Sequence, residues 1–399
     1  MSLKSIELEN THASRQFSGR TREATPPSPL LTAACAVVLA GILVAGLWPF
    51  HAPANQVAWL ANGNGVHLGD YGTLLSTGPI VTSAADRTAP CSLEIWLAPA
   101  GADDSSAILS FYVPGSPWQF SIRQSKQDLE LLWESHAKVA RSRRRALYVD
   151  NAFTAGSPVF VTITSTPAAT RVYLNGSLAH EASHFPLSAA DFAGTVVVAN
   201  SPFQNDSWRG DLRGLAFYAA ALQPVEAMMH YRDWTSGHAG DLALEPGIRG
   251  LYLFNEHAGR TVHNLAASGA GLTIPARYTV LHEKFLELPW QEFSPDGWYL
   301  KDVLINIGGF VPLGFVFLAL FKARNVRRAR AVTILLGALT SITIEVLQAF
   351  LPTRDSGMTD IFTNTLGTAI GVMLYPSVLI RKVCGMIPWA GCFYAGEDD

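Results

Sequence analysis

Four long runs of mostly apolar residues are the dominant feature of this 399-residue sequence. They occupy residues 30–50, 300–321, 329–351 and 359–380. A helix of about 20 apolar residues crosses the roughly 30 Å hydrocarbon core of a bilayer, so each run is long enough to span a membrane. Only 15% of the residues are charged, which is low for an ordinary soluble protein. The sequence therefore predicts an integral membrane protein with four transmembrane helices.

Basic residues predict how these helices are oriented. The loop between the second and third helices carries Lys322, Arg324, Arg327, Arg328 and Arg330. Because such residues concentrate in cytoplasmic loops, we predict that this loop and both termini (1–29, without stable structure, and 381–399) are cytoplasmic and that residues 52–299 are exported. A cleaved signal peptide is an alternative, since Ala52-Pro53-Ala54 resembles a cleavage site, but the first apolar run is long for a signal.

In the predicted exported part, the sequence consists of short strand patterns separated by Gly, Pro, Asn and Ser. The clearest patterns are Ser92–Leu97, Thr170–Leu174 before the turn Asn175-Gly176, and Gly214–Tyr218. Alternating apolar and polar residues between turn signals are typical of antiparallel strands. One helix is predicted, at Gln223–Trp234, where Pro224 lies near the start. We predict a multi-domain α and β protein, in which an antiparallel β-sandwich (residues 52–293) is inserted between transmembrane helices 1 and 2.

This region resembles the LamG-like, or concanavalin A-like, jelly-roll family. The resemblance is carried by residues 91–99, 171–177, 208–218 and 252–256. It implies two packed sheets whose concave face or edge loops hold a glycan or protein ligand. Many members bind calcium, but here Leu212, Arg213 and Gly214 follow Asp211 where an acidic residue is usual. This departure counts against calcium, and no metal or other cofactor is predicted.

Several residues of the sandwich are candidates for binding. Trp118, Trp133 and Trp208 could stack on a sugar, with core packing as the alternative for each. Asp128 and Glu130 share a strand face, as the carboxylate pair of a glycoside hydrolase could, but no closely spaced pattern such as ExDxxE appears, so a solvated face is favoured. The basic run 141–145 fits an acidic glycan, anionic headgroups or a solvated loop. An exported position excludes nucleic acid as the expected partner.

Polar residues also collect near one end of the predicted helices. The candidate membrane polar site comprises Asn306, Glu345, Gln348, Arg354, Asp360 and Asn364. Glu345 lies six residues before Leu351, or about 9 Å along a helix, where a carboxylate is costly and needs a partner. Arg354 is the expected partner. Gly367 and Gly371 are spaced to let another helix approach closely.

These residues resemble the VanZ-like family. The pattern is Asn306-Ile-x-x-Phe-x-Pro-Leu-Gly314, Glu345-x-x-Gln348, Arg354 and Asp360-x-x-x-Asn364-x-x-Gly367, and Leu47-Trp-Pro-Phe50 is similar to the end of the family's first helix. The family is bacterial and is named for a member implicated in low-level resistance to teicoplanin. The resemblance implies an inner-membrane protein of the cell envelope. Its expected partners are membrane lipid and a glycan or lipid-linked substrate.

The sequence is compatible with two interpretations of function. In the first, the exported domain recognises a glycan or other envelope component while the helices handle or sense a lipid-linked or headgroup substrate. In the second, the protein is a non-enzymatic scaffold or adhesion module, and the polar residues only bond the helices together. A transporter is less favoured, because the four helices contain no internal repeat. No reaction is assigned from the sequence.

Overall fold

The computed structural model describes residues 29–80, 88–116, 118–135, 144–266, 269–282, 285–293 and 297–375. Its helices are α1 (Pro29–Leu47), α2 (Pro224–Ser236), α3 (Pro289–Glu292), α4 (Gly297–Ala323), α5 (Ala329–Gln348) and α6 (Met358–Leu374). Short 3-10 helices cover Ala189–Phe192 and Ala239–Leu244.

Two eight-stranded antiparallel sheets form the domain between α1 and α3. The first sheet has the spatial order β1 (Val57–Trp59), β2 (Val66–Leu68), β13 (Gly210–Tyr218), β4 (Cys91–Pro99), β9 (Val159–Ser165), β10 (Thr170–Leu174) and β11 (Ser177–Ala182), with β14 (Ile248–Tyr252) also paired to β13. The second has the order β15 (Thr261–Val262), β16 (Leu272–Thr273), β3 (Leu74–Ser76), β12 (Thr195–Val198), β5 (Ser105–Tyr112), β6 (Trp118–Ser125), β7 (Asp128–Ser135) and β8 (Arg144–Val149). The predicted antiparallel sandwich is confirmed.

The main hydrophobic core lies between these sheets. On β4, Leu93, Ile95 and Leu97 belong to this core, and Glu94 between them faces the opposite side of the sheet. Phenylalanines from both sheets and their connections meet in the core, with ring centroids 5.1 to 6.3 Å apart: Phe111, Phe120, Phe192 and Phe217. Period-two burial therefore produces the packed interior that the strand patterns predicted.

Helix α2 covers the outer face of the first sheet. It begins after the N-cap residue Gln223, with Pro224 in the first turn, and ends at Gly237, whose φ of 85° is a left-handed cap. Trp234 on this helix packs on Phe160 of β9 with ring centroids 6.0 Å apart. The helix predicted at Gln223–Trp234 is confirmed, and its buried side encloses polar residues of the sheet beneath it.

Three of the described helices are long and apolar enough to cross a membrane: Pro29–Leu47, Tyr299–Ala323 and Ala329–Gln348. The third ends at Gln348, three residues earlier than predicted, so Glu345 lies only about 5 Å from the helix end along its axis. Helix α6 is described as far as Leu374. Residues 376–380 of the predicted fourth helix lie outside the described residues, as do both predicted cytoplasmic tails except Pro29.

The chain divides into two compact units. The larger comprises residues 43–304 and 340–363 and contains the sandwich, and the smaller comprises the described parts of residues 1–42, 305–339 and 364–399.

Within the smaller unit, α4 and α6 approach at glycines. A Cβ on Gly367 would collide with the backbone of Ile307, and one on Gly371 with the backbone of Val311. These glycines form the close helix contact that their spacing predicted.

Candidate functional site

A group of polar side chains surrounds the turn between α5 and α6. We call Glu292, Glu345, Gln348, Arg354 and Asp360 the turn cluster; all five belong to the larger compact unit. Glu345 is buried, and its Oε2 accepts a hydrogen bond from the amide of Gly357 at 2.8 Å. This amide directly precedes α6, where the positive end of the helix dipole favours an anion. The start of α6 thus accommodates the carboxylate.

Arg354 does not pair with Glu345, so the predicted ion pair is wrong. Its Nε and Nη2 donate to the carbonyl oxygen of Trp48 at 3.1 and 2.6 Å. Trp48 follows the last residue of α1, where carbonyl groups lack partners within the helix. Backbone groups at two helix ends therefore take the place of the ion pair: an amide binds the carboxylate, and a carbonyl binds the guanidinium.

Gln348 also binds the end of α1. Its Nε2 donates to the carbonyl oxygen of Gly46 at 2.8 Å. Its Oε1 is buried and has no hydrogen-bond partner among the described residues. Together, Gln348 and Arg354 join the end of α5 and the following turn to the last turn of α1.

Glu292 is a member of the cluster that the sequence analysis missed. It lies in the linker segment, which we define as residues 285–293, and its Oε2 accepts a hydrogen bond from the amide of Thr359 at 3.0 Å and another from the Thr359 hydroxyl. A Cβ on Gly357 would overlap the Glu292 carboxylate. An acidic residue within the stretch Leu288–Phe293, just before an apolar run, was the signal available in the sequence.

Backbone pairing holds the same segment against the turn. The amide of Glu287 donates to the carbonyl of Ser356 at 3.2 Å, and the amide of Met358 donates to the carbonyl of Glu287 at 2.9 Å. Gly357 therefore lies between two carboxylates: its amide binds Glu345, and its Cα faces Glu292. Only glycine fits this position without displacing one of them.

The remaining candidates divide between the two units. Asp360 is partly buried at the start of α6 and interacts electrostatically with Glu345. Asn306 and Asn364 belong to the smaller unit, where Asn364 is buried. The structure thus brings four of the six predicted polar residues to one turn. Within the described ranges, no three His, Cys, Asp or Glu side chains lie together in a way that could hold a metal ion.

A second polar network lies beneath α2 in the sandwich. Glu94 of β4 is fully buried, and His230 of α2 contacts it through Nδ1 at 3.0 Å. Nε2 of His230 lies 3.1 Å from Glu245. Tyr218 and Trp234 donate to Glu94 at 3.1 and 3.2 Å. The partners of this buried carboxylate come from the neighbouring strands β13 and β9 and from α2 above them, so the network attaches α2 to the sheet.

The charge state of this network depends on its burial and its neighbours. Burial by itself lowers the pKa of His230, but the hydrogen bond to Glu94 and the charges of both glutamates outweigh burial and raise the pKa above its ordinary value. Burial raises the pKa of Glu245, and burial followed by the charge of Glu94 raises the pKa of Tyr218. The surroundings of His230 therefore favour its protonated form more than water does.

The face predicted to be solvated on β7 is instead part of an ion network. Glu130 is buried and binds Arg144 at 2.5 Å and the hydroxyl of Tyr148 at 2.7 Å, while Arg123 pairs with Asp206. The hydrogen bond to Glu130 raises the pKa of both Arg144 and Tyr148. Because Arg144 neutralises it and Tyr148 donates a hydrogen bond to it, Glu130 can be buried where a lone carboxylate could not.

Asp128 and the basic run also have local partners. Asp128 accepts a hydrogen bond from the amide of Asn151 at 2.9 Å, in the turn after β8. In the run 141–145, Arg145 donates to the carbonyl of His184 at 2.8 Å and lies over the ring of Phe185. Residues 141–143 of that run lie outside the described residues.

The three candidate tryptophans have different surroundings. Trp208 is 1% exposed and donates from Nε1 to Gln124 at 2.7 Å, so its ring packs in the core. Trp133 is partly buried against the core. Trp118 is 38% exposed at the start of β6 and lies 5.6 Å from Trp133 between ring centroids. Of the three, Trp118 presents the most open ring.

Two family models match separate parts of the chain. Residues 254–381 match the VanZ/LLP1 family. Residues 72–227 match the Concanavalin A-like lectin/glucanases superfamily. Both resemblances inferred from sequence motifs are therefore confirmed. The VanZ/LLP1 match includes the whole turn cluster with Asn306 and Asn364, but it does not include Leu47–Phe50.

Solved structures similar to this chain share low sequence identity with it. A SAP-like pentraxin from Limulus polyphemus is 12% identical, with a TM-score of 0.31 over 58% of this chain and 95% of that chain. The CBM40 of the Ruminococcus gnavus IT-sialidase, bound to alpha2,3 sialyllactose, is 12% identical, with a TM-score of 0.31 over 42% of this chain and 95% of that chain. The botulinum neurotoxin serotype D/C binding domain is 16% identical, with a TM-score of 0.33 over 45% of this chain and 46% of that chain.

The chain thus spans about half the length of the neurotoxin chain it matches. No curated protein matches it. The VanZ/LLP1 match begins at Phe254, just after β14, and therefore contains the last two strands of the sandwich and the linker segment as well as α4 to α6. Glu292 accordingly lies in the same matched region as Glu345 and Arg354.

Proposed function

We propose that this chain is a multi-pass protein of a bacterial inner membrane, with the four predicted helices embedded, residues 52–299 exported and both termini cytoplasmic. Three apolar helices and the VanZ/LLP1 match support this placement. The five basic residues at positions 322–330 support the orientation. In this orientation the turn cluster lies at the exported surface of the membrane.

The exported sandwich, in this proposal, recognises a glycan or another component of the cell envelope. The observation that carries the proposal is that one chain joins a match to lectins and glucanases with a match to VanZ/LLP1. Trp118 and its neighbour Trp133 supply an aromatic edge, and aromatic rings of this kind provide large contact areas for ligands. We place the glycan contact at Trp118.

The turn cluster then handles or senses a lipid-linked or headgroup substrate. Arg354 supports this role, because it is exposed at the end of the helices and its Nη1 takes no part in the bonds to Trp48. A guanidinium with donors beyond those bonds suits the phosphate of a headgroup. Through this substrate, the protein contributes to low-level teicoplanin resistance or to the handling of envelope polysaccharide.

A specific observation favours the second candidate function, a non-enzymatic membrane-anchored scaffold or adhesion module. Gln348 and Arg354 donate to backbone carbonyls at the end of α1, and Glu345 accepts from a backbone amide just before α6. A cluster that only joins helix ends needs no substrate. If the protein is only a scaffold, removing the charges of the cluster leaves the envelope phenotype unchanged. If the cluster handles a substrate, as in the first proposal, the phenotype changes.

Binding of envelope glycans by the full-length protein in lipid nanodiscs tests the proposal. We expect the protein to bind immobilised peptidoglycan fragments or surface polysaccharide, and Trp118→Ala to weaken binding roughly tenfold, equivalent to about 1.4 kcal/mol. Leu178→Ala is the matched control, because Leu178 is also an exposed apolar residue of the sandwich. Equal loss in both variants would argue against a site at Trp118, and no binding by the intact protein would favour the scaffold.

A further inference from the structure

The linker segment carries three exposed aromatic rings. Trp290 is 71% exposed and Phe293 is 64% exposed, although Glu292, which lies between them in sequence, is bonded to the start of α6. Phe285, at the other end of the segment, is also mostly exposed. Large apolar side chains grouped on a surface are costly in water and mark a contact with another apolar phase or partner.

The end of α1 adds two more rings at the same turn. Trp48 and Phe50 are each more than half exposed, and their ring centroids are 5.7 Å apart. The carbonyl of Trp48 binds Arg354, just as Glu292 binds Thr359. Both aromatic groups are therefore attached to the short stretch 354–359. We call Trp48, Phe50, Phe285, Trp290 and Phe293 the aromatic surface.

This surface continues onto a helix that is apolar enough to cross a membrane. Phe293 contacts Tyr299 of α4 with ring centroids 5.5 Å apart. Leu300 and Leu304, one turn apart on α4, are each about 60% exposed and so extend the apolar surface along the helix. Because Phe293 and Leu304 belong to one continuous apolar surface, the same environment must cover both, and lipid can do so.

We infer that the aromatic surface lies in the headgroup region of the exported leaflet, with lipid as its occupant, and that the linker segment is a half-immersed anchor rather than a free tether. The inference rests on the proposed membrane placement. Trp side chains concentrate at this depth because the ring is apolar and its N–H is polar. Glu292 and the backbone of Glu287 bind the turn, while the rings face outward to lipid.

The aromatic surface also determines how deep in the membrane the turn cluster lies. If Trp290 lies at headgroup level, Glu292 and the start of α6 that it binds lie at that level too, because Glu292 is only two positions from Trp290. The turn cluster is then held where the phosphates of lipid headgroups are found, and Arg354 meets them without leaving the bond to Trp48. The linker segment thus sets the depth of the cluster.

Quenching of a fluorescent amino acid at single positions tests this inference. A genetically encoded fluorophore is placed at Trp290, Leu244 or Leu304 of the full-length protein in nanodiscs, which leaves all cysteines unchanged. Brominated phospholipid reports lipid contact, and iodide reports water contact. Leu244, which is 91% exposed in the sandwich, is the reference for water, and Leu304 is the reference for lipid.

We expect position 290 to be quenched by the brominated lipid, and several-fold less by iodide than position 244. Quenching of position 290 by iodide as strong as at position 244 would overturn the inference. Protection of position 290 from both quenchers would also overturn it, because a protein, such as a second copy of the chain, would then cover the surface. Absence of lipid quenching at position 304 would refute the membrane placement itself, which distinguishes that failure from failure of the anchor alone.

Discussion

The carboxylate of Glu345 binds the backbone amide of Gly357 at 2.8 Å. This bond joins the last turn of α5 to the residue before α6, so a charged group in an apolar helix helps to fix the turn that follows it. A carboxylate near a helix N-terminus is stabilised by typically 0.3–1 kcal/mol, and by up to about 2 kcal/mol when partly buried. Glu345 is therefore both an element of structure and a candidate for chemistry.

Removing only the charge of Glu345 separates these two roles. Glu345→Gln keeps an oxygen that accepts the Gly357 amide, so we expect normal abundance in the membrane. If the charge serves a site, the envelope phenotype of the intact protein, such as teicoplanin susceptibility, is lost. Glu345→Ala leaves a buried amide without a partner at a cost of about 1–3 kcal/mol, so we expect its abundance to fall.

Asp360→Asn, scored side by side with Glu345→Gln by membrane immunoblot and susceptibility assay, is the companion variant. Loss of phenotype in step with loss of abundance would favour the structural network. Wild-type behaviour of both variants in both assays would exclude a site and an essential network alike.

The separate partners of Glu345 and Arg354 predict nearly additive effects of mutation. A direct buried ion pair would make the loss of one partner far more costly than the loss of both. Since Arg354 binds Trp48 and Glu345 binds Gly357, we expect a coupling free energy below about 0.5 kcal/mol in a double-mutant cycle of Glu345→Gln and Arg354→Gln. Thermal unfolding of the wild type, the two single variants and the double variant in detergent measures this coupling. A coupling of several times that size would show that Glu345 and Arg354 do pair directly.

The contact between Gly357 and Glu292 predicts a steric effect that a second mutation relieves. In Gly357→Ala the new methyl group overlaps the Glu292 carboxylate, which we expect to destabilise the protein by about 1–3 kcal/mol. In a Glu292→Ala background the same change meets no carboxylate and should cost less. Gly41→Ala in α1 is the control, because its Cβ meets nothing within 4 Å. Equal costs in both backgrounds would contradict the contact.

The network beneath α2 predicts a pH dependence of stability. The folded-state pKa of His230 lies above its ordinary value of 6.5, so its contribution to the free energy of unfolding is complete below that pH and is lost as the pH rises through the folded-state value. His230→Gln cannot titrate, and we expect the Tm difference between wild type and this variant to shrink as the pH rises from 6.5. Tryptophan fluorescence during thermal unfolding measures the Tm of both proteins at each pH. A constant difference would show that His230 does not gain a proton.

The placement of every site depends on topology. A reporter fused after Arg327 should be active only in the cytoplasm, and one fused after Leu351 only in the exported compartment, because basic residues mark the cytoplasmic loop. Alkaline phosphatase and a fluorescent protein, which are active on opposite sides of the membrane, serve as paired reporters. The reverse pattern would move the turn cluster and the sandwich to the cytoplasmic side.

The sandwich and the apolar helices could be predicted from the sequence because both depend on local patterns. Alternation at Ser92–Leu97 follows from a strand with one face in the core, and Pro224 begins α2 because its missing N–H costs nothing in a first helical turn. The polar residues that gather near one turn could be predicted as a group, since Glu345, Gln348, Arg354 and Asp360 are close in sequence.

Only the tertiary structure decided which groups bind each other. Arg354 was expected to pair with Glu345, but each binds the backbone of a helix end, and those open amides and carbonyls carry no sequence signal. The bond between Glu292 and Thr359 joins residues that are 67 positions apart, and the bond between Glu94 and His230 joins residues that are 136 positions apart. Composition and periodicity determined which segments form strands and helices, whereas the partners of buried charges depend on distances that exist only after the chain has folded.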